Sequence, residues 1–236
     1  MIVAVSGTHC CGKTTLIDQF LLAHPDFTHE PEPYAALQED YGEVFAAEPS
    51  ADDFYRQLEF SLARLRDHSR SQRVIFERSP VDFLAYLLAL RDLQRNEEAS
   101  ELIETALGLV KGAIELLDLI VFLPLDDMPA NIVSDSEDPE LRIAVDDRLA
   151  DIFSGDDFDV FRENSPVVME VRGSTAERLR KMESAMEALR GATARPNPES
   201  APLERRWGLV RQSGRAREYI IERRGCAKEH KSRLAE

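Results

Sequence analysis

Residues Gly7-Thr8-His9-Cys10-Cys11-Gly12-Lys13-Thr14 fit the pattern G-x-x-x-x-G-K-[ST]. They stand between an apolar run, Ile2-Val3-Ala4-Val5, and a segment with helical apolar spacing, Leu16/Phe20 and Ile17/Leu21. No other feature constrains the chain as tightly, because a strand must end at Gly7 and a helix must start at Lys13. Glycines let the backbone of such a loop wrap closely around phosphate oxygens. Successive N–H groups then converge inward, and the helix N-terminus adds the positive end of its dipole. Lys13 supplies a charge for the β- and γ-phosphates of a nucleoside triphosphate, and the Thr14 hydroxyl is the expected Mg2+ ligand. The expected phosphate-binding set is Gly7, Thr8, His9, Cys10, Cys11, Gly12, Lys13, Thr14 and Thr15, with ATP and Mg2+ as the implied cofactors.

Two thiols lie inside this loop. A helix N-terminus and a neighbouring lysine both lower a thiol pKa, so oxidation of Cys10 or Cys11 would block nucleotide binding if either thiol were acidic. The alternative is that both are small loop fillers, as His9 also is if it takes no part in chemistry. With Cys226 the total is three, too few for a disulfide framework, and no Cys/His spacing reads as a zinc site. A reducing compartment is the simple inference.

Downstream, apolar runs alternate with helical patterns. Strands are expected at Asp26–Glu30, Arg73–Glu77, Leu119–Leu123 and Val167–Val171. Helices are expected at Tyr34–Ala47, Asp52–Ser71, from Pro80, at Glu97–Leu117, and from the capping box Ser174-Thr175-Ala176-Glu177 to Gly191. Alternation of this kind predicts an α/β three-layer sandwich, a five-stranded parallel sheet with helices on both faces. The domain is expected to span residues 1–190. Asp126–Phe161, acidic and carrying Arg142 and Arg148, falls outside the alternation as a lid-like insertion. Residues 191–236 read as a basic linker and a tail that is either mobile or loosely docked.

Charge is distributed unevenly. The net charge is -15, yet residues 191–236 hold 11 Lys and Arg against 6 Asp and Glu, whereas residues 1–190 hold 18 against 38. So acidic a body repels phosphate backbones and anionic membranes, which argues against nucleic-acid and membrane partners. The tail suits an acidic surface: the body itself, a protein partner or the second copy in a homodimer. No apolar run is long enough to cross a bilayer and the N-terminus lacks a signal-peptide pattern, so a cytoplasmic protein is expected.

In a parallel sheet every strand C-terminus meets one edge, and ligands bind there. Glu30 ends the second expected strand, and Glu77-Arg78-Ser79 ends the third. A carboxylate at that rim can ligate Mg2+ or accept a proton from an attacking hydroxyl. An arginine can neutralise charge on a transferred phosphoryl group. Glu32 offers a second possible base.

Glu30-Pro31 and Glu77-Arg78-Ser79, following their strands, resemble the deoxynucleoside kinase and thymidylate kinase group of P-loop kinases. Gln57-Leu58-Glu59-Phe60-Ser61-Leu62-Ala63-Arg64 is similar to the segment of those kinases whose glutamine contacts a base. Asp118–Leu123 resembles their fourth strand. Val171-Arg172-Gly173-Ser174 and the helix after it look more like small AAA-type P-loop ATPases related to the nicotinamide riboside kinases. The likeness covers about residues 1–190. It implies Glu30 as general base, Glu77 at the metal, Arg78 on phosphates, Gln57 and Arg64 at the acceptor, and Arg142 and Arg148 closing over the transferring phosphate. The chain departs from those kinases in lacking their dense run of lid arginines. An Asn-Lys-x-Asp guanine motif is absent after the fourth strand, which argues against a switch GTPase.

The reading that results is a kinase transferring the γ-phosphoryl of ATP to a small-molecule acceptor, a nucleoside or nucleotide among the candidates. The alternative is an ATP-binding or ATPase regulator acting on a protein partner, which the acidic body and the basic tail favour.

Overall fold

The structure is a computed structural model that describes residues 1–45, 49–69, 72–95, 99–125, 138–155, 158–162 and 165–193. All of the expected tail beyond residue 193 lies outside the described residues. Five strands, β1 (Ile2–Ser6), β2 (Thr28–Glu30), β3 (Val74–Glu77), β4 (Leu119–Phe122) and β5 (Val167–Glu170), form one parallel sheet in the order β2-β3-β1-β4-β5. The helices are α1 (Lys13–Ala23), α2 (Pro33–Tyr41), α3 (Ala51–Asp67), α4 (Pro80–Asp92), α5 (Ala99–Ala113), α6 (Pro139–Gly155) and α7 (Thr175–Thr193). None among the described residues is long and apolar enough to cross a membrane.

β1 is central, which is why its whole sequence is apolar up to Ser6. Side chains alternate across a strand, so Val3 and Val5 enter one core while Ile2 and Ala4 enter the other. The first core is closed by Leu16, Ile17 and Phe20 of α1 with Met182 and Met186 of α7. The second holds α3, α4, α5 and α6. Every residue of α4 from Pro80 to Leu90 is buried, because α3, α5 and α6 pack around it. A helix apolar on all sides needs such an environment.

Two expectations change. The stretch 126–161 was read as standing outside the layered pattern. Residues 126–137 are outside the described residues, but α6 packs on α4 through Leu141, Val145, Leu149 and Ile152, all buried. Their spacing of four, four and three is a helical stripe. Asp146, Asp147 and Asp151, interleaved with it, hid it in the composition. The helix after β2 also stops short of the expected Ala47. Gly42 takes a left-handed conformation, φ 69°, and its N–H caps the Leu37 carbonyl, the usual glycine stop signal.

Candidate active site

Strand register brings the ends of β1 and β3 side by side, with Val5 opposite Glu77. Between β1 and α1 the loop makes its turns at Gly7 (φ 150°), Cys10 (φ 51°) and Gly12 (φ 92°). Gly7 has no substitute: a Cβ there would lie 2.6 Å from Cys11 Sγ and 2.7 Å from the Leu123 carbonyl oxygen. Cys11 fills the space beneath the loop. It is fully buried, and burial pushes its thiol pKa up despite the opposing charges of Lys13 and Arg78. The thiol is therefore an apolar filler, and the acidic-thiol expectation is corrected for Cys11.

A phosphate loop works when its N–H groups face inward, which turns its carbonyls outward and leaves them needing donors. Here each carbonyl from Gly7 to Cys11 accepts from a cationic side chain. Arg78 Nη1 donates to Gly7 O at 3.0 Å and Lys13 Nζ to Thr8 O at 2.9 Å. Arg142 donates from Nε to His9 O at 2.8 Å and from Nη2 to Cys10 O at 3.3 Å. Arg178 Nη1 donates to Cys11 O at 2.9 Å. Gly12 O is taken by the Leu16 amide at 3.1 Å, the first turn of α1. The loop is thus held from outside by the turn between β3 and α4, by α6 and by α7.

At the rim, Thr14 Oγ1 donates to Glu77 Oε1 at 2.7 Å. These two oxygens, the expected metal ligands, stand together. Magnesium in kinase sites takes one or two protein oxygens, with phosphates and waters completing its shell, so this pair fits the ion. Asp82 ties the rim to the loop, accepting from the Gly7 amide at 2.9 Å and from the Ser79 amide and hydroxyl, both at 2.9 Å. Ser6 Oγ donates to Ser79 Oγ at 2.8 Å.

Arg78 is the largest fully buried side chain and its backbone is left-handed, φ 78°. Non-glycine residues rarely hold that conformation without a reason in the surroundings. Its guanidinium pairs with Glu32 through Nε, lies 3.5 Å from Asp82, and donates to the Tyr86 hydroxyl at 3.3 Å. Burial works to lower its pKa, but Glu32, Tyr86 and Asp82 raise it well above the ordinary value. For Glu32 burial works upward. The charges of Arg78, Lys13 and His9, and the Arg78 bond, outweigh it and bring its pKa down to about 2. Glu32 is ionised in the folded protein at every pH above that value.

The expected base, Glu30, is placed differently. It is buried, and both oxygens are engaged: Arg64 donates to Oε2 at 2.9 Å and to Oε1 at 2.6 Å, and His68 Nε2 contacts Oε1 at 2.7 Å. Burial would raise its pKa, and these bonds more than reverse that. Glu30 therefore anchors α3 to β2, and Glu32 takes the place beside Lys13 and Arg78. The physical reason is the partner each carboxylate meets: Arg64 and His68 reach Glu30, whereas Arg78 reaches Glu32. Arg64 is spent on Glu30. Gln57 is buried on the adjoining face of α3. Of the two expected closing arginines, Arg142 reaches the loop. Arg148 does not: it pairs with Asp92, the last residue of α4, and with Asp151.

Sequence reasoning missed Asp82, Tyr86 and Arg178. The capping box Ser79-Pro80-Val81-Asp82 was a readable signal for the first, whereas nothing local marked the other two. Beside the loop, Thr15 and Gln19 of α1 face Thr175, Ala176 and Leu179 of α7 across a cavity of about 350 Å³.

The profile of a P-loop family described as AAA domain matches residues 2–178. No curated protein matches the sequence. Among solved structures, the fold is similar to NadR protein in complex with NAD and AMP-PNP (TM-score 0.55, 16% identity, 85% of this chain); this chain spans 51% of that protein's length. It is similar to thymidylate kinase from Candida albicans (TM-score 0.55, 15% identity, 80% of this chain and 92% of that one). It is also similar to deoxyadenosine kinase from M. mycoides with products dCMP and dCDP bound (TM-score 0.55, 12% identity, 80% of this chain and all of that one). At these identities the likeness is one of fold.

Proposed function

The chain belongs to the AAA domain family, and we propose that it is a phosphotransferase, moving the γ-phosphoryl group of ATP to a hydroxyl or phosphate of a small-molecule acceptor, with nucleosides and nucleotides the first candidates. One observation carries the reading. Two carboxylates at the rim have different partners, Glu77 the Thr14 hydroxyl and Glu32 the Arg78 guanidinium. Hydrolysis or simple binding needs the first of these; transfer to an acceptor also needs the second.

Thr14 and Glu77 would hold a bound magnesium ion, which would supply positive charge to the phosphates. Lys13 exchanges the Thr8 carbonyl for a phosphate oxygen. Arg78, fixed by Glu32, Gly7 O and Asp82, keeps its charge at the rim throughout. Glu32 orients the acceptor hydroxyl and takes its proton as the new P–O bond forms, while the bond from the γ-phosphorus to the bridging oxygen breaks and ADP leaves. A carboxylate of such low pKa is a weak base, but phosphoryl transfer passes through a loose transition state, in which positioning and charge matter more than base strength. The cavity between Thr15 and Ala176 is the place for the base of the donor nucleotide.

The test is a transfer screen with Mg-ATP and a panel of nucleosides, nucleotides and cofactor precursors. Acceptor-dependent ADP release supports the reading. ADP release that no acceptor accelerates, and that Glu32→Gln leaves unchanged, favours the regulator.

A further inference from the structure

Arg178 stands in the first turn of α7, where its amide donates to the Ser174 carbonyl at 2.9 Å. Its side chain turns back to the phosphate loop and is 4% exposed. Nη1 holds Cys11 O, and a Cβ on Gly12 would lie 3.2 Å from that nitrogen. Nε is buried and has no hydrogen-bond partner. Among the described residues no carboxylate pairs with this guanidinium.

Such an arrangement is costly. A guanidinium keeps its proton under all working conditions, so burial cannot be relieved by neutralisation. Buried charges are normally paired, and a buried unpaired donor calls for an explanation. The neighbouring cations sharpen the point. Arg78 is compensated by Glu32 and Asp82, and the charge of Glu32 also reaches Lys13, which is 5% exposed and donates to the Thr8 carbonyl. Two buried cations, Lys13 and Arg178, thus flank the N-terminus of α1, and of the two Arg178 has no carboxylate beside it among the described residues. An anion bound there would supply the missing charge.

We propose that Arg178 is a nucleotide-binding residue. On nucleotide binding its side chain shifts to uncover Nε, which donates to a phosphate oxygen of a bound nucleoside di- or triphosphate on the α7 side of the loop. Lys13 serves the terminal phosphates, so Arg178, next to the cavity lined by Thr15 and Ala176, serves the phosphate nearest the nucleoside. The inference rests on the reading of the loop as a nucleotide site and adds a residue to it.

Calorimetric titration with Mg-ADP, and thermal denaturation with and without it, are run on the full chain for wild type, Arg178→Met and Arg178→Lys. Arg178→Met should lose about tenfold or more in affinity, the scale of a charge-assisted phosphate contact. Arg178→Lys keeps the charge but lacks Nε and should lose about threefold to tenfold. Without nucleotide the Met variant should melt within about 3 °C of wild type or above it, since an uncompensated buried charge has been removed. Wild-type affinity in the Lys variant overturns the proposal, even if the Met variant fails to fold. So does a Met variant that melts well below wild type and binds Mg-ADP undiminished at low temperature, which would make Arg178 a structural brace. A wild type that fails to bind Mg-ADP brings down the nucleotide reading itself, an outcome distinct from either.

Discussion

Two neighbouring stretches of the sheet rim are built on opposite plans. At the β1 and β3 ends, ligand-facing groups come from a continuous loop whose shape its own glycines dictate. At the β2 end, two carboxylates two residues apart are sorted by partners far away in sequence: Glu30 to Arg64 and His68, Glu32 to Arg78. The first plan is local, so a pattern of eight residues reveals it. The second depends on which side chain another element delivers, and no spacing within His29-Glu30-Pro31-Glu32 decides it. The lesson is that the phosphate-loop side of such a rim is written in a motif, whereas the β2 side is written in tertiary contacts.

The sharpest way to break this contrast is to exchange the roles of the two carboxylates. Glu32→Gln should lower transfer to an acceptor by about 10²–10⁴, the usual worth of a general base. Glu30→Gln should leave the single-turnover rate near wild type. A reversed result would return Glu30 to the reacting centre. Acid adds a second reading of the same pair. The folded-state pKa of Glu32 lies below its ordinary value, at about 2. Its stabilising contribution is therefore complete above a pH of about 4.3, the free glutamate value, and is lost as pH falls toward 2. Acid denaturation of Glu32→Gln should show a shallower pH dependence over that window.

Next in size is the core role of α6. Leu149→Ala should cost about 2–5 kcal/mol in urea denaturation, the range for truncating a buried leucine. A cost below 1 kcal/mol would mean that α6 is an appended lid. On the same helix the two arginines should part company. Arg142→Ala removes the donors to His9 and Cys10 carbonyls and should weaken Mg-ATP binding about threefold to tenfold. Arg148→Ala removes a partly exposed ion pair with Asp92 and should cost about 0–1 kcal/mol in stability, with binding unchanged. Equal losses of binding in both variants would contradict the placement of Arg148.

Much of the fold was legible. β1 and α1 match their expected bounds, and the alternation of apolar strands with helical stripes was enough for a five-stranded parallel sheet. The pairing of Thr14 with Glu77 was likewise foreseeable, since both follow adjacent strands. What stayed hidden was anything that depended on a helix returning to the loop. Arg178 lies 167 residues from the carbonyl it holds. Its surroundings in sequence, Ala176-Glu177-Arg178-Leu179, are those of an ordinary solvated helix face. α6 was concealed for a related reason: its aspartates make the segment read as acidic, and only the spacing of Leu141, Val145, Leu149 and Ile152 shows a buried side.

The central claim is that the loop holds a nucleoside triphosphate through Lys13, with the donor side assembled and waiting. The most direct measurement is calorimetric titration of Mg-ATP into the wild type and Lys13→Ala, alongside their melting temperatures. Lys13 is buried and its ammonium donates to the Thr8 carbonyl of the loop, so the variant should stay folded and lose at least about tenfold in affinity, a charge-assisted contact being worth about 1.5–3 kcal/mol. A folded Lys13→Ala variant that binds Mg-ATP as tightly as the wild type would contradict the account.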